Sequence, residues 1–226
     1  MDGLLGFAEA LGVQSRQIRW DMDISKTDAQ FAAESCGHTR PVCVISPCSS
    51  QRFRNFRNWG IENYAALATY LQQQYGAHVL LTGGSTPTEL DYGERISAAT
   101  AVSVTNLIGK TSLKQLLAIL EAADLVICPD SGPAHMATAV GTPVVGLYAT
   151  SNRLRTGPYF SQHLVVDKYP DAVRAEFHKP VDAVRWGQRV RNPDAMALIT
   201  VDDVFDKVAM VLDAADDAPD DDVAKE

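Results

Sequence analysis

From residue 42 onward, the hydrophobic positions of the chain alternate between two spacings. Short, nearly continuous apolar runs, typical of strands buried on both faces, alternate with stretches in which apolar residues recur every three to four positions, as on one face of a helix. The predicted strands are 42–46, 78–81, 102–107, 125–128 and 144–147, with a further one at 163–167. The predicted helices are 62–75, 88–99, 112–122, 133–140 and 201–212. This order indicates βαβ units and predicts the α/β class: a Rossmann-like parallel sheet flanked by helices.

The two ends of the chain do not follow this alternation. Residues 1–40 have a predicted helix over 4–11 and a polar, extended stretch at 16–25, but no strands with which to form a domain. Residues 213–226 hold seven acidic residues and one lysine, a composition that predicts a disordered, solvated tail. The tail contributes −6 of the formal net charge of −8, and the remaining −2 leaves no basic surface for nucleic acid.

The cysteines and histidines do not indicate a metal site. The four cysteines show no C-x-x-C spacing, and no two of the five histidines have the i, i+4 spacing of a helical metal site. We therefore expect no metal cluster, no disulfide framework and no bound cofactor, while magnesium held through Asp130 stays open. Residues 1–4 lack the basic region of a signal peptide, and no apolar stretch reaches the ~20 residues that span a bilayer. These features predict a cytoplasmic protein.

The segments that follow the five central strands are rich in glycine, serine and threonine, and three of them carry a cation nearby. These segments are 46–50, 82–85, 109–112, 130–132 and 149–153. In an open parallel sheet, ligands bind at the carboxyl ends of the strands, so the five segments meet at one edge. Although such residues are common in any turn, their convergence predicts a pocket for a phosphorylated ligand. The chain has no Walker sequence and no G-x-G-x-x-G after the first strand, which argues against those two types of nucleotide site.

The segment 127–136, ICPDSGPAHM, is the most informative single feature. A predicted buried strand passes through an acid, a hydroxyl and a glycine directly into a helix that starts at Pro133. The unpaired N–H groups of a helix's first turn and the positive end of its dipole favour a bound anion, and His135 adds a further donor there. The alternative is purely structural, with Ser131 as N-cap and Pro133 in the first turn.

These segments, in this order, resemble family 9 glycosyltransferases, the bacterial lipopolysaccharide heptosyltransferases. The most specific match is the D-S-G-P-x-H block at 130–135, preceded at the family's distance by G-K-T-S-L at 109–113. The resemblance extends over about residues 40–160 and includes R-N-W at 57–59 and R-T-G-P at 155–158. It implies the C-terminal half of a GT-B architecture, in which two Rossmann-like domains face each other across a cleft and the C-terminal one holds the nucleotide sugar.

The resemblance also implies roles for individual residues. Ser49 and Ser50 correspond to phosphate contacts, and Arg57 stands where the family usually has the lysine of K-x-W that neutralises the diphosphate. Because arginine grips two phosphate oxygens where lysine acts as a point charge, this replacement keeps the charge and changes the geometry. Glu89 corresponds to a ribose or base contact, and Thr111 lies in the stretch that flanks the adenine. The positions that surround the diphosphate and the sugar are Asp130, Ser131, Gly132 and His135.

By the same resemblance, residues 1–40 are the remnant of an N-terminal domain and its linker, residues 41–212 the nucleotide-sugar-binding domain, and residues 213–226 the disordered acidic tail. The implied activity is inverting transfer of a sugar from an ADP-activated donor, usually ADP-heptose, to a lipopolysaccharide core or lipid A acceptor. The implied place is the inner face of the cytoplasmic membrane, with at most peripheral contact. The catalytic base is expected in the N-terminal domain, which this sequence lacks. Two alternatives stay open: a nucleotide-binding module without catalysis, and another GT-B enzyme such as a sugar-nucleotide epimerase.

Two groups of basic residues leave their roles open. Arg52, Arg54 and Arg57 compete for the phosphate-binding role, and the alternative is a solvated basic loop. The segment 170–195 is predicted only to run along the surface. Its basic residues face either anionic lipid head groups or solvent, and they are Arg174, Lys179, Arg185, Arg189 and Arg191.

Overall fold

A computed structural model describes residues 2–13, 17–50 and 53–216, and within them the core is a parallel sheet of six strands. The strands are β1 (Val42–Ile45), β2 (His78–Leu81), β3 (Thr105–Asn106), β4 (Leu125–Pro129), β5 (Val144–Tyr148) and β6 (Val166–Asp167). They lie in the order β3-β2-β1-β4-β5-β6, and every neighbouring pair is parallel. The expected fold class, a Rossmann-like parallel sheet flanked by helices, is confirmed.

Helices cover both faces of this sheet. They are α1 (Asp2–Ala10), α2 (Lys26–Cys36), α3 (Ile61–Tyr75), α4 (Pro87–Ala99), α5 (Leu113–Ala122), α6 (Gly132–Val140), α7 (Arg153–Thr156), α8 (Tyr169–Phe177) and α9 (Val201–Asp216). Successive side chains of a strand point to opposite faces. Accordingly, Ile45 of β1 packs into the core that α3 and α9 cover, whereas Val44 packs into the core that α2 and α5 cover. Burial on both faces explains why the strands are continuous apolar runs in the sequence.

The structure differs from the predicted elements at both edges of the sheet. β3 is shorter than the predicted strand 102–107 and is the terminal strand, paired with Leu80 and Leu81 of β2. Instead of a continuous strand at 163–167, a 3-10 turn at Gln162–Leu164 precedes the two residues of β6. At a sheet edge, fewer neighbours bury the strand, so an apolar stretch need not remain in the ladder over its whole length.

The hydrophobic pattern predicts neither α2 nor α8. The residues of α2 are mainly small or polar, which hides its apolar face, yet Ala32 and Cys36 are buried where it packs against α5. Ser25 caps α2 because its Oγ accepts from the N–H of Asp28 at 3.1 Å. α8 lies in the return segment after β6, and the ring of Tyr169 is buried beneath it.

The two ends of the chain take the following form. Gly12, with a φ of +85°, follows α1, and residues 17–24 contain no helix or strand. Within that stretch, Trp20 packs edge-to-face on Phe160, with ring centroids 5.8 Å apart. α9 runs to Asp216, past the predicted helix end, whereas the rest of the predicted tail lies outside the described residues. The division into three domains stays a prediction.

The strand order fixes where a ligand can enter the sheet. From β1 the chain moves outward through β2 and β3, and it then returns to β4 on the other side of β1. The connections on the two sides of the β1–β4 pair therefore run in opposite directions and leave a crevice at the carboxyl ends of these strands. The loop after β1 and the N-terminus of α6 border this crevice.

Candidate functional site

A buried ion pair joins the two borders of the crevice. Arg57, in the loop after β1, donates through Nη1 to the carbonyl oxygen of Asp130 at 2.9 Å, and the same nitrogen lies 3.4 Å from Asp130 Oδ2. Asp130 directly follows β4. Only 9% of Arg57 and 6% of Asp130 are exposed. The structure thus brings together the predicted phosphate-binding cation and the predicted acid of the D-S-G-P-x-H block.

Two asparagines in the loop after β1 hold this arrangement. Asn55 accepts from Arg57 Nε at 2.7 Å and donates to Ser49 Oγ, also at 2.7 Å. Asn58 Oδ1 accepts from the backbone N–H of Ser49 at 2.9 Å. Ser50 Oγ accepts from Nη2 of Arg57 at 3.3 Å. The sequence does not predict the role of either asparagine, because an amide that braces a loop leaves no periodic signal, and the R-N-W match alone does not say what Asn58 contacts.

The same loop is anchored to the core at both of its ends. The indole N–H of Trp59, which is fully buried, donates to the carbonyl oxygen of Ile199 at 2.9 Å. The Tyr64 hydroxyl donates to the carbonyl oxygen of Pro47 at 3.1 Å. Burial raises the pKa of the Cys48 thiol to about 12, so Cys48 is a neutral part of this scaffold at ordinary pH. The loop therefore presents Arg57 from a fixed base.

A second arginine reaches the same carboxylate from the return segment. Nη2 of Arg189 lies 3.6 Å from Oδ2 of Asp130. Arg189 and Arg57 line a pocket of about 120 Å³ together with Arg54 and Arg191. Four arginine residues thus line one small pocket at the carboxyl edge of the sheet. The sequence does not predict this contact, because the return segment has no hydrophobic period that would place its side chains.

The structure shows which of the arginines with open roles lie at the pocket. Arg57 is buried and ion-paired, so a solvated basic loop is the wrong interpretation for this residue. Arg54 lines the pocket and has a φ of +55°, which is uncommon for a residue with a side chain. Arg189 and Arg191 line the same pocket. Arg52 lies outside the described residues.

The N-terminus of α6 is open. Ser131 occupies the N-cap position in an extended conformation and Pro133 lies in the first turn, as the structural alternative predicts, but the Ser131 side chain accepts no hydrogen bond from that turn. Its hydroxyl is buried and lies against the Cys128 thiol, a weak hydrogen-bonding group, with no stronger partner within the described residues. The Ser151 hydroxyl, after β5, is buried without a hydrogen-bond partner in the same part of the chain. A side chain built at Gly132 would meet nothing within 4 Å. The first-turn N–H groups are therefore accessible to an anion.

His135 does not line the pocket that Arg57 lines. It is exposed on the first turn of α6 and lines a separate cleft of about 490 Å³ with Trp20, Arg155, Tyr159 and Gln162. A ligand that occupies both the pocket and this cleft would contact Arg57 and His135. The contribution of His135 to binding stays a prediction.

Glu89 and Thr111 lie on the other side of the crevice, after β2 and β3. Glu89 Oε1 accepts from the N–H of Gly84 at 2.8 Å. Its Oε2 accepts from the backbone N–H of Thr86 at 3.3 Å, while the Thr86 Oγ1 accepts from the N–H of Glu89, which forms a capping box at the start of α4. Thr111 is half-buried and precedes Ser112, the N-cap of α5. The carboxylate of Glu89 thus orders its own loop, and the nucleotide contacts of both residues stay predictions.

The remaining chemistry of the described residues is sparse. Among them, no group of three or more histidine, cysteine, aspartate and glutamate side chains is arranged to hold a metal ion. Burial raises the pKa values of Cys43 and Cys128 to about 12, so both are neutral thiols at ordinary pH. In this part of the chain, no helix combines the length and the apolar character needed to cross a membrane.

Comparison with known sequences shows what the chain is similar to. The model of glycosyltransferase family 9 (heptosyltransferase) matches residues 4–183. The lipopolysaccharide core heptosyltransferase OpsX of Haemophilus influenzae is 40% identical over 205 residues, which are 91% of this chain and 58% of that protein. Lipopolysaccharide heptosyltransferase 3 of Escherichia coli is 32% identical over 117 residues, or 51% of this chain and 33% of that protein. The chain therefore spans less than two thirds of either relative.

Solved structures share the fold. A family 9 glycosyltransferase from Veillonella parvula superimposes with a TM-score of 0.72 at 23% identity, covering 94% of this chain and 60% of that one. The ADP-heptose lipopolysaccharide heptosyltransferase II of Escherichia coli superimposes with a TM-score of 0.65 at 21% identity, covering 91% and 57%. The strand order, the D-S-G-P-x-H block behind β4 and the family match agree: the chain belongs to glycosyltransferase family 9, the heptosyltransferases.

Proposed function

We propose that this chain carries the donor-binding part of a heptosyltransferase that transfers heptose from an ADP-activated donor to a lipopolysaccharide core or lipid A acceptor. The observation that carries the proposal is the Arg57–Asp130 pair at the β1–β4 crevice, beside the open N-terminus of α6. The names of the relatives support the substrate class. OpsX is named a lipopolysaccharide core heptosyltransferase, and the heptosyltransferase WaaC of Escherichia coli has been solved with ADP.

The arrangement suits a departing diphosphate. In an inverting transfer, an acceptor hydroxyl forms a bond to the anomeric carbon while the bond from that carbon to the diphosphate oxygen breaks, and ADP leaves with both electrons of that bond. Arg57 and the first-turn N–H groups of α6 meet the charge that develops on the diphosphate without having to reorganise. Asp130 keeps the Arg57 guanidinium in place through its carbonyl and carboxylate oxygens.

The base that takes the proton from the acceptor hydroxyl belongs, in this proposal, to the N-terminal domain of the GT-B architecture. The resemblance to the family carries this assignment. The acceptor is a lipid-linked saccharide, so the proposed place of action is the inner face of the cytoplasmic membrane, reached through peripheral contact.

Thermal unfolding against ADP, UDP, GDP and dTDP tests the donor assignment. A nucleotide at about 100 times its Kd stabilises the native chain by about 2.7 kcal/mol, which raises the Tm of a chain of this size by roughly 5–10 °C. We expect this shift with ADP, and we expect Arg57→Met to remove most of it, because the substitution keeps the length of the side chain and deletes its charge. Arg95→Met, in an exposed pair on α4, is the matched control. A wild-type chain whose Tm responds equally to all four nucleotides, or to none, contradicts the proposal.

A further inference from the structure

The backbone on either side of Arg189 is fixed to the sheet. The N–H of Val190 donates at 3.0 Å to the carbonyl oxygen of Thr150, which follows β5. The Tyr169 hydroxyl donates to the carbonyl oxygen of Gln188 at 2.7 Å. The side chain of Val190 is buried. The segment therefore holds Arg189 at the carboxyl edge and does not run freely over the surface.

The guanidinium of Arg189 shares one carboxylate oxygen with Arg57. Asp130 Oδ2 lies 3.6 Å from Nη2 of Arg189 and 3.4 Å from Nη1 of Arg57. The Arg189 side chain is 35% exposed, against 10% for that of Arg57. An arginine has five N–H donors, and this ion pair at 3.6 Å leaves most of those of Arg189 directed elsewhere.

The pocket in front of these groups carries an excess of positive charge. Arg54, Arg57, Arg189 and Arg191 line its volume of about 120 Å³, while the carboxylate of Asp130 pairs with two of them. Positive charges this close together repel one another, and an anion bound between them replaces this repulsion with attraction to each arginine. The planar guanidinium fork matches the oxygens of a phosphate group, and the pocket has room for a group of that size.

We propose that Arg189 is a second diphosphate-binding residue, which meets the nucleotide from the side opposite the loop after β1. Asp130 then orients two guanidinium groups at once, one from each side of the crevice. This proposal rests on the proposed function for the nature of the ligand, and it extends the site to Arg189 in the return segment.

The test compares Arg189→Gln with Arg185→Gln in the full 226-residue chain. Arg185 is exposed in the same segment and does not line the pocket, so it is the matched control. Isothermal titration measures the Kd of ADP, adenosine and inorganic pyrophosphate for each protein. Loss of a charge-assisted hydrogen bond to phosphate weakens binding about tenfold or more. We expect this loss in R189Q for ADP and pyrophosphate, with adenosine unchanged, and wild-type values in R185Q.

The outcomes separate this proposal from the proposed function. An R189Q chain that binds ADP and pyrophosphate as tightly as wild type overturns the role of Arg189, whatever the donor is. If wild type binds pyrophosphate but not ADP, the donor assignment fails, and the pyrophosphate comparison alone decides on Arg189. A wild-type chain that binds neither overturns both. An R189Q chain that loses adenosine as well indicates a structural role for Arg189 and also contradicts the proposal.

Discussion

Asp130 touches two guanidinium groups, and one of them is buried. In Asp130→Asn, the buried charge of Arg57 faces a neutral amide, although the backbone hydrogen bond to the carbonyl oxygen can remain. Removing one partner of a buried ion pair is strongly destabilising, so we expect the free energy of unfolding to fall by about 3 kcal/mol. Urea denaturation measures this difference.

The matched control for Asp130→Asn is Asp91→Asn, which removes an aspartate from an exposed pair with Arg95 on α4. Exposed pairs of this kind contribute about 0.3–0.5 kcal/mol, so D91N should leave the denaturation midpoint almost unchanged. If D130N costs no more stability than D91N, the carboxylate is not needed to compensate the buried arginine.

At the scale of helices, α5 and α6 start with the same residue type in different states. Ser112 caps α5 by accepting from the N–H of Gln115 at 3.1 Å, whereas Ser131 accepts nothing from α6 and its hydroxyl is buried. We therefore expect Ser112→Ala to cost about 1 kcal/mol of stability and Ser131→Ala to cost nothing in the unliganded chain. Parallel urea titrations of the two variants measure both effects. Equal losses would mean that Ser131 caps its helix in solution.

An ion pair between Asp203 of α9 and Lys168, the residue before α8, joins these two helices. Asp203 accepts from Lys168 Nζ at 2.9 Å and from the N–H of Thr200 at 2.9 Å. Burial alone raises the pKa of Asp203, but the hydrogen bonds from Lys168 and Thr200 outweigh it and hold the pKa below its ordinary value of 3.8. A carboxyl group whose pKa is lowered by folding stabilises the native state above its unfolded pKa, and this contribution is lost as the pH falls through the folded pKa.

We therefore expect the unfolding free energy of the wild type to decrease below about pH 4, with a smaller decrease in Asp203→Asn. Chemical denaturation at a series of pH values from 6 to about 2.5 measures the two slopes. Asp202→Asn, an exposed acid in the same turn, serves as the control and should follow the wild type. Parallel curves for D203N and the wild type would exclude Asp203 from the acid response.

The strands of the sheet could be predicted from the sequence, whereas the helices that cover the sheet could be predicted only in part. The central strands are buried on both faces, so Val42–Ile45 and Leu125–Pro129 stand out as apolar runs. α2 could not be recognised in this way, because small residues such as Ala32 bury a helix without marking a hydrophobic face. Fold class thus follows from burial, while helices that cover the sheet through small side chains do not.

The residues of the site also fall into those that the sequence predicts and those that it does not. Arg57 and Asp130 were predicted as one site because the R-N-W and D-S-G-P-x-H segments resemble those of the family, and the structure brings the two residues together. Asn55 and Arg189 were not predicted as parts of it, because the first acts through loop geometry and the second reaches the site along a chain path that local sequence does not encode. The Ser131 hydroxyl shows the converse: a sequence typical of a cap, without the capping hydrogen bond.

The bond between Arg57 and Asp130 joins positions 73 residues apart in the chain. One half of the sheet, β1 to β3, supplies the first residue, and the other half, β4 to β6, supplies the second. Neither half contains the pocket by itself, so a nucleotide can recognise only the assembled sheet. A ligand that binds only the native state shifts the folding equilibrium toward that state and lowers the population of partly folded chains. Under the proposed function, the abundance of native protein in the cell would therefore rise with the supply of the nucleotide-sugar donor.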